Sequence, residues 1–413
     1  MSDTQKHTKP NVPDLRFPGF EGEWARCTLG EIGEPYIGLT YSPADVVNEG
    51  GTIVFRSSNI QNGEIDYSDI VRVNKKIKDS IITRKDDLLI CARNGSPRLI
   101  GKNALLKDAD AGQTFGAFML VFRSNDNHFV HQLLSTKGYY SQVSENLGAR
   151  INQITTSNIK DFEFYFPKSL AERNKIADFL NLIDERISIQ NKVIEKLKSL
   201  MRGLSNKLMD NPLWNKIYLG DFMQFYSTNS LSWEQLSYKN GRMKNLHYGL
   251  IHSGLPTITD CEDNTLPYIQ APFIPKQFII CKDGDIAFAD ASEDTEEVGK
   301  AIELCNTGSM DVVCGLHTIH GRDIIGMTVI GFKGFAFNSK YFHDQLRRMA
   351  QGSKVYSITA ENIKNCYIYV PEVNEQRRIV GLLLCLQDKI KCAERELNTY
   401  EIQKRFMLRE MLV

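Results

Sequence analysis

No apolar run in the chain approaches the roughly 20 residues a membrane-spanning helix requires, so a transmembrane role is not expected. Charge of either sign is not in excess. The 413 residues carry 50 basic and 50 acidic side chains, which argues against a nucleic-acid binder at whole-chain level and leaves room for a local basic face. Cysteine lacks a pattern: the nine (27, 91, 261, 281, 305, 314, 366, 385 and 392) are odd in number and irregularly spaced. The opening MSDTQKHTKPNVPDLRF is too polar for a signal peptide, so reduced thiols and a cytoplasmic location are expected. Also missing are a Walker A loop, a dinucleotide-binding glycine fingerprint and a G-x-S-x-G elbow, which leaves no motif for catalysis by this chain alone. The nearest metal-like spacing is Cys314-x2-His317-x2-His320. It offers three ligands where a closed zinc site wants four, so it reads as structural and no metal is expected.

What the sequence does contain is a long-period repeat. Trp24 to Glu31 (WARCTLGE) returns as Trp214 to Asp221 (WNKIYLGD), and Gly148 to Pro167 (GARINQITTSNIKDFEFYFP) returns as Gly352 to Pro371 (GSKVYSITAENIKNCYIYVP). Each second block leads into a helical run, ERNKIADFLNLIDERI from Glu172 and EQRRIVGLLLCLQDKI from Glu375. A period of about 200 residues is far too long for a solenoid unit and points to duplicated domains. Inside them, Asp87-Leu-Leu-Ile lines up with Asp285-Ile-Ala-Phe, and Gly101-Lys102 with Gly299-Lys300. The expected organisation is a loosely ordered polar arm (1–23), a first domain (24–167), a long helix (168–211), a second domain (212–371) and a second long helix (372–413). Both domains read as mixed α/β. Strands are expected at Gly51 to Ser57, Asp87 to Ala92, Phe115 to Phe122, Asp161 to Phe166, Phe278 to Cys281, Asp285 to Ala289 and Thr328 to Gly331, with helices at Phe129 to Glu145 and Tyr341 to Ala350.

The long helices carry the firmest pattern. Ile176, Leu180, Ile183, Ile187, Ile194, Leu197, Met201, Leu204 and Leu208 fall in alternating three- and four-residue steps, interrupted by Gln190. Ile379, Leu383, Leu386, Ile390, Ala393, Leu397, Tyr400, Met407 and Met411 repeat the pattern, with Lys404 at one seam position. Such a stripe over more than four heptads is a coiled-coil seam. Over roughly 50 Å neither helix can hide its stripe on its own domain, so antiparallel pairing of the two is expected, with the domains at opposite ends. A polar Gln190 in the seam would help fix register.

In this order the motifs resemble the specificity (S) subunits of type I restriction–modification enzymes. LRFPGFEGEWARCTLGEIG at the start, the Trp-x4-Leu-Gly-[Glu/Asp] entry to each domain, and the NIK…Pro runs that open the long helices carry the likeness across about residues 12 to 413. The resemblance implies two target-recognition domains, each reading half of a split double-stranded DNA site, with a coiled coil setting the spacer. It also implies two M subunits holding S-adenosylmethionine, R subunits holding ATP and Mg, and no cofactor or catalytic residue in this chain. The seam residues Ile176, Leu180, Ile183, Ile187, Ile194, Leu197, Ile379, Leu383, Leu386, Ile390 and Leu397 would then serve helix pairing and M-subunit contact. Polar side chains for base edges and basic ones for phosphates are sought in the domains. The first, with its basic stretch from Lys75 to Lys107, offers Arg56, Ser57, Asn59, Arg84, Arg93, Asn94, Arg98, Lys102, Arg150 and Asn152. The second offers Lys300, Arg322, Lys333, Lys354 and Tyr356, and its acidic loop 293–297 should face away from DNA. Three other readings stay open: a protein-binding scaffold, an enzyme built around Cys314, His317 and His320, and a specificity subunit of a methylation-only system.

Overall fold

The computed structural model describes residues 11–147, 152–294, 297–352 and 355–413. The chain divides into two compact units, Met1–Lys192 with Glu394–Val413 and Val193–Ala393, so each long helix contributes one half to each unit. Mixed α/β architecture is present in both.

In the first unit, the strand Ala25–Thr28 pairs antiparallel with Glu163–Phe166, tying the start of the globular region to its end. The second unit repeats this with Asn215–Tyr218 and Tyr367–Val370, which is the structural content of the repeated blocks. Between these staples the first unit folds into a four-stranded antiparallel sheet ordered Glu34–Ile37, Met119–Arg123, Leu88–Cys91, Asn103–Leu105. A second sheet holds Thr114–Phe115, Thr52–Phe55, Val71–Val73 and Val46–Val47. The central strand shows why Asp87 to Ala92 is so apolar. Leu88 and Ile90 enter one core while Leu89 and Cys91 enter another, so both faces of the strand are buried. Ile286–Ala289 does the same in the second unit, within a five-stranded sheet ordered Met223–Tyr226, Thr318–Asp323, Ile286–Ala289, Ala301–Cys305, Ile258–Asp260.

Several expected elements differ. The strand Phe115 to Phe122 is broken: Thr114–Phe115 belongs to one sheet and Met119–Arg123 to the other. The crossing runs tightly past Gly38, where a Cβ would lie 2.3 Å from the Phe115 and Gly116 carbonyls. The helix Phe129 to Glu145 is two helices, Asn127–Leu133 and Lys137–Asn146, parted at Thr136, whose hydroxyl accepts the Tyr139 N–H and caps the second. Phe278 to Cys281 and Thr328 to Gly331 are not strands. The latter is a loop held by Asp323 and by Gln376, whose side chains accept the Thr328 and Val329 N–H groups. The arm is less loose than expected over 11–23: Arg16 makes a two-pronged ion pair with buried Glu172, and the Leu15 N–H donates to the Glu410 carbonyl.

The long helices run Leu170–Met209 and Val373–Met411. Every seam residue from Ile176 to Leu208 and from Ile379 to Met411 is buried or half-buried, as a coiled-coil stripe requires. In the first unit the pairing is antiparallel. Asp184 meets Lys404, while further along the first helix Gln190 Nε2 donates to Glu396 at 3.0 Å, earlier in the second. The two polar interruptions of the seam thus each find an acidic partner on the other helix. In the second unit Met201, Leu204 and Leu208 share a core with Ile379 and Leu383. No helix among the described residues is long and apolar enough to cross a membrane.

Leu180 is fully buried and Leu182, two residues on, is 58% exposed. Leu180→Ala is expected to cost about 2–5 kcal/mol in urea unfolding, against less than about 0.5 kcal/mol for Leu182→Ala. Equal costs would contradict the assigned seam.

Candidate nucleic-acid interface

In the first unit three loops converge where the strands Thr52–Phe55 and Leu88–Cys91 end. Asn94 Nδ2 donates to Ser57 Oγ at 3.0 Å, and the Asn152 side chain donates to the Gly95 carbonyl at 3.1 Å. The Arg93 guanidinium lies 4.9 Å from the centre of the Phe118 ring, which is 57% exposed. Arg98 is exposed on the turn Pro97–Leu99, and the Lys102 carbonyl accepts the Cys91 N–H, so half-buried Lys102 sits beside the same strand end. Arg56 borders the rim but gives its guanidinium to Asp69 at 2.7 Å. This rim offers two exposed guanidinium groups, two amides, a hydroxyl and an open aromatic ring, the chemistry that reads base edges and grips phosphates.

Other expected contacts lie elsewhere. Asn59 is buried: its Oδ1 accepts the Arg56 N–H and its Nδ2 donates to the Asp66 and Asp69 carbonyls, so it closes the loop from within. Arg84 is exposed but sits before the Leu88–Cys91 strand, at the end remote from Arg93. Within the basic stretch, Lys75, Lys85 and Lys107 are paired with Asp45, Asp108 and Glu64. Arg150 and Lys354 lie outside the described residues.

The second unit requires larger corrections. Arg322 is a structural clasp: Nε and Nη2 hold the two oxygens of buried Asp285 at 2.8 and 2.7 Å, with the guanidinium 5.2 Å from the Tyr226 ring centre. Arg123 grips Asp87 in the same two-pronged way at 2.8 and 2.9 Å, 4.8 Å from the Tyr36 ring. The duplicated Asp is therefore one half of a duplicated ion pair, whose arginine lies 36 residues on in one unit and 37 in the other. Lys333 is only 2% exposed and pairs with fully buried Glu303 at 3.1 Å, so it faces the interior. Burial pushes the Glu303 carboxyl up, and Lys333 opposes that shift. Lys300 is held by Glu297 at 2.8 Å, and Tyr356 is half-buried in a short ladder with Ser292.

Where the first unit carries Arg93, Asn94 and Phe118, the equivalent backbone of the second carries Ala291, Ser292 and His317, as their shared ladder positions show. His317 does not face Cys314 and His320. Its Nδ1 lies 3.1 Å from Asp290 Oδ1, and its ring packs edge-on to Tyr248 at 5.1 Å. Tyr248 adjoins His247, which stacks 4.4 Å from Trp233, a residue 45% exposed. Burial, with His317 nearby, lowers the His247 pKa. Basic character does not mark this aromatic and imidazole rim; its signal in the sequence is the set of five side chains Trp233, His247, Tyr248, His252 and His317.

Residues 21–199 match the family model for the type I restriction modification DNA specificity domain. The StySPI specificity subunit of Salmonella potsdam, a type I restriction enzyme component, is 26% identical over 188 residues, 43% of this chain and 40% of that protein. The type I EcoKI specificity subunit of Escherichia coli (strain K12) is 25% identical over 202 residues, 47% and 43% of the two chains. The likeness to type I specificity subunits thus covers less than half of this chain in sequence. The matched stretches span less than half the length of those curated relatives. The fold likeness extends further. The type I restriction–modification S subunit of M. genitalium superposes with a TM-score of 0.60 at 17% identity, covering 97% of this chain and 99% of that one. A chain from a type I R-M system studied for complex assembly and conformational transition gives 0.53 at 15% identity, covering 95% and 98%. At these identities the likeness speaks for the fold.

The clasp and the rim are expected to separate on substitution. Arg123→Ala leaves the buried Asp87 carboxylate unpaired and is expected to destabilise by about 3–5 kcal/mol. Arg93→Ala, on an open face, should change stability by less than about 0.5 kcal/mol. Comparable losses in urea titrations would contradict this division of roles.

Proposed function

We propose that the chain is the DNA-recognition subunit of a type I restriction–modification complex, reading a bipartite double-stranded site with one half-site assigned to each unit. The observation that carries this reading is one scaffold used twice with different rims. The terminal strand pair and the Asp–Arg clasp are repeated, while the loops at the equivalent strand ends change from Arg93, Asn94 and Phe118 to Ala291, Ser292 and His317. A fixed frame with exchanged loop chemistry is what two modules for two base sequences require. In the first unit Arg93, Asn94, Arg98, Ser57 and Asn152 read or grip the duplex, with Phe118 beside them. In the second, Trp233, Tyr248 and His317 take that role.

The seam side chains are consumed by the helix pair, so they are not free to dock a partner as well. A second apolar stripe on the first helix, Leu182, Ile189, Val193 and Leu200, is exposed and supports docking of M subunits there. The proposed division of labour leaves methyl transfer, with S-adenosylmethionine, to two M subunits, and ATP- and Mg-dependent work to R subunits. A target adenine flipped into an M subunit asks nothing catalytic of this chain.

Strand-specific mapping of adenine methylation tests this directly, using DNA exposed to the chain with its M subunit. A split motif is expected, and Arg93→Ala with Asn94→Ala should relax one half-site and leave the other intact. Absence of a split motif, with an M subunit shown to be competent beside another specificity chain, would overturn the reading.

A further inference from the structure

One cluster in the second unit serves neither the rims nor the helix pair. Cys281, Cys314 and His320 are all buried, with their ligand atoms within 4.8 Å of one another. They come from three places: the segment before the Ile286–Ala289 strand, the end of Asp311–Cys314, and the middle of Thr318–Asp323. The last two strands belong to different sheets, so the cluster bridges them.

Its geometry suits a metal. The two sulfurs are 3.6 Å apart. Two thiolates on a tetrahedral zinc, each about 2.3 Å from the ion, are separated by about 3.8 Å. His320 is already oriented as a ligand, with Nε2 2.7 Å from Asp285 Oδ2. An imidazole that donates one N–H to a carboxylate presents the lone pair of its other nitrogen, the usual support for a metal-bound histidine. Asp285 is itself fixed by Arg322.

The first unit keeps the clasp without the cluster. Its Thr83 N–H donates to the Gln113 carbonyl as that of Cys281 does to Val312, and Val121 lies opposite Leu89 as His320 lies opposite Ala287. Phe115, whose carbonyl accepts the Leu39 N–H as that of Cys314 accepts the Asn229 N–H, completes the set. Thr83, Phe115 and Val121 show that the shared fold needs neither thiol nor imidazole at these positions.

We propose that Cys281, Cys314 and His320 bind a zinc ion. Thiolate and imidazole ligands suit this borderline-soft divalent cation, and on binding the two thiols release their protons to solvent. Asp285 stays outside the coordination sphere, since both its oxygens are engaged. A cavity of about 310 Å³ bordered by Thr228, Asn229 and Phe278 reaches Cys314 and His320, and a water from it would complete the coordination. The ion cross-links the two sheets and pins the segment that ends at Cys281.

The test uses the full chain, loaded with Zn²⁺, passed over a chelating resin and assayed for metal by mass spectrometry. One zinc per chain is expected in the wild type and in Cys366→Ser, a buried cysteine outside the cluster, and a loss of at least about tenfold in Cys281→Ser and Cys314→Ser. Loading the wild type with Co²⁺ should give a thiolate-to-cobalt charge-transfer band with tetrahedral d–d bands, a readout that needs no variant to fold. Folded wild type that keeps no zinc and shows no such band overturns the site. So does full retention of zinc in both serine variants.

Discussion

The heptad seam is the constraint on which the rest of the structure depends. Two stripes of apolar side chains, each some forty residues long, cannot be buried by the small sheets that precede them, and pairing satisfies both at once. Each compact unit therefore incorporates half of each helix, and the first core contains Ile176, Leu180 and Ile183 from one together with Leu408 and Met411 from the other. Asp184 with Lys404, and Gln190 with Glu396, add partners that only one register and direction supply.

Around that seam the molecule keeps its scaffold apart from the proposed recognition rims. The terminal strand pair, the Asp87–Arg123 and Asp285–Arg322 clasps, and the seating of Arg173 and Gln376 against the Pro167 and Pro371 carbonyls recur in both units. In the clasps the carboxylates are buried, so a changed partner leaves a buried group unsatisfied. The loops at the strand ends carry no such debt, and there the units differ most. A guanidinium beside Phe118 in one unit gives way to a carboxylate beside His317 in the other. Specificity can drift at such a rim without unfolding the frame beneath it.

Much of the fold was legible because periodicity survives divergence. The seam follows from heptad spacing, the Leu88–Cys91 and Ile286–Ala289 strands from short apolar runs, and the entry blocks from their recurrence. The candidate site was legible only in part. Basic character picks out Arg93 and Arg98, but it equally picks out Arg322 and Lys333, whose charges are spent on Asp285 and Glu303. Sequence cannot tell a buried ion pair from a free cation when the partner lies 30 or more residues away, as both of these do. The same blindness hid Cys281, which sits 33 residues from Cys314, while the closer His317 turned out to face another way.

The most direct test of the account is to remove one heptad, seven residues, in register from both Leu170–Met209 and Val373–Met411 and to map methylation again with the same M subunit. Helix rise shortens the pair by about 10 Å, close to three base pairs of B-form duplex. The account predicts unchanged half-sites at a spacer altered by about that amount. The original spacer, retained by a folded and active variant, would contradict it.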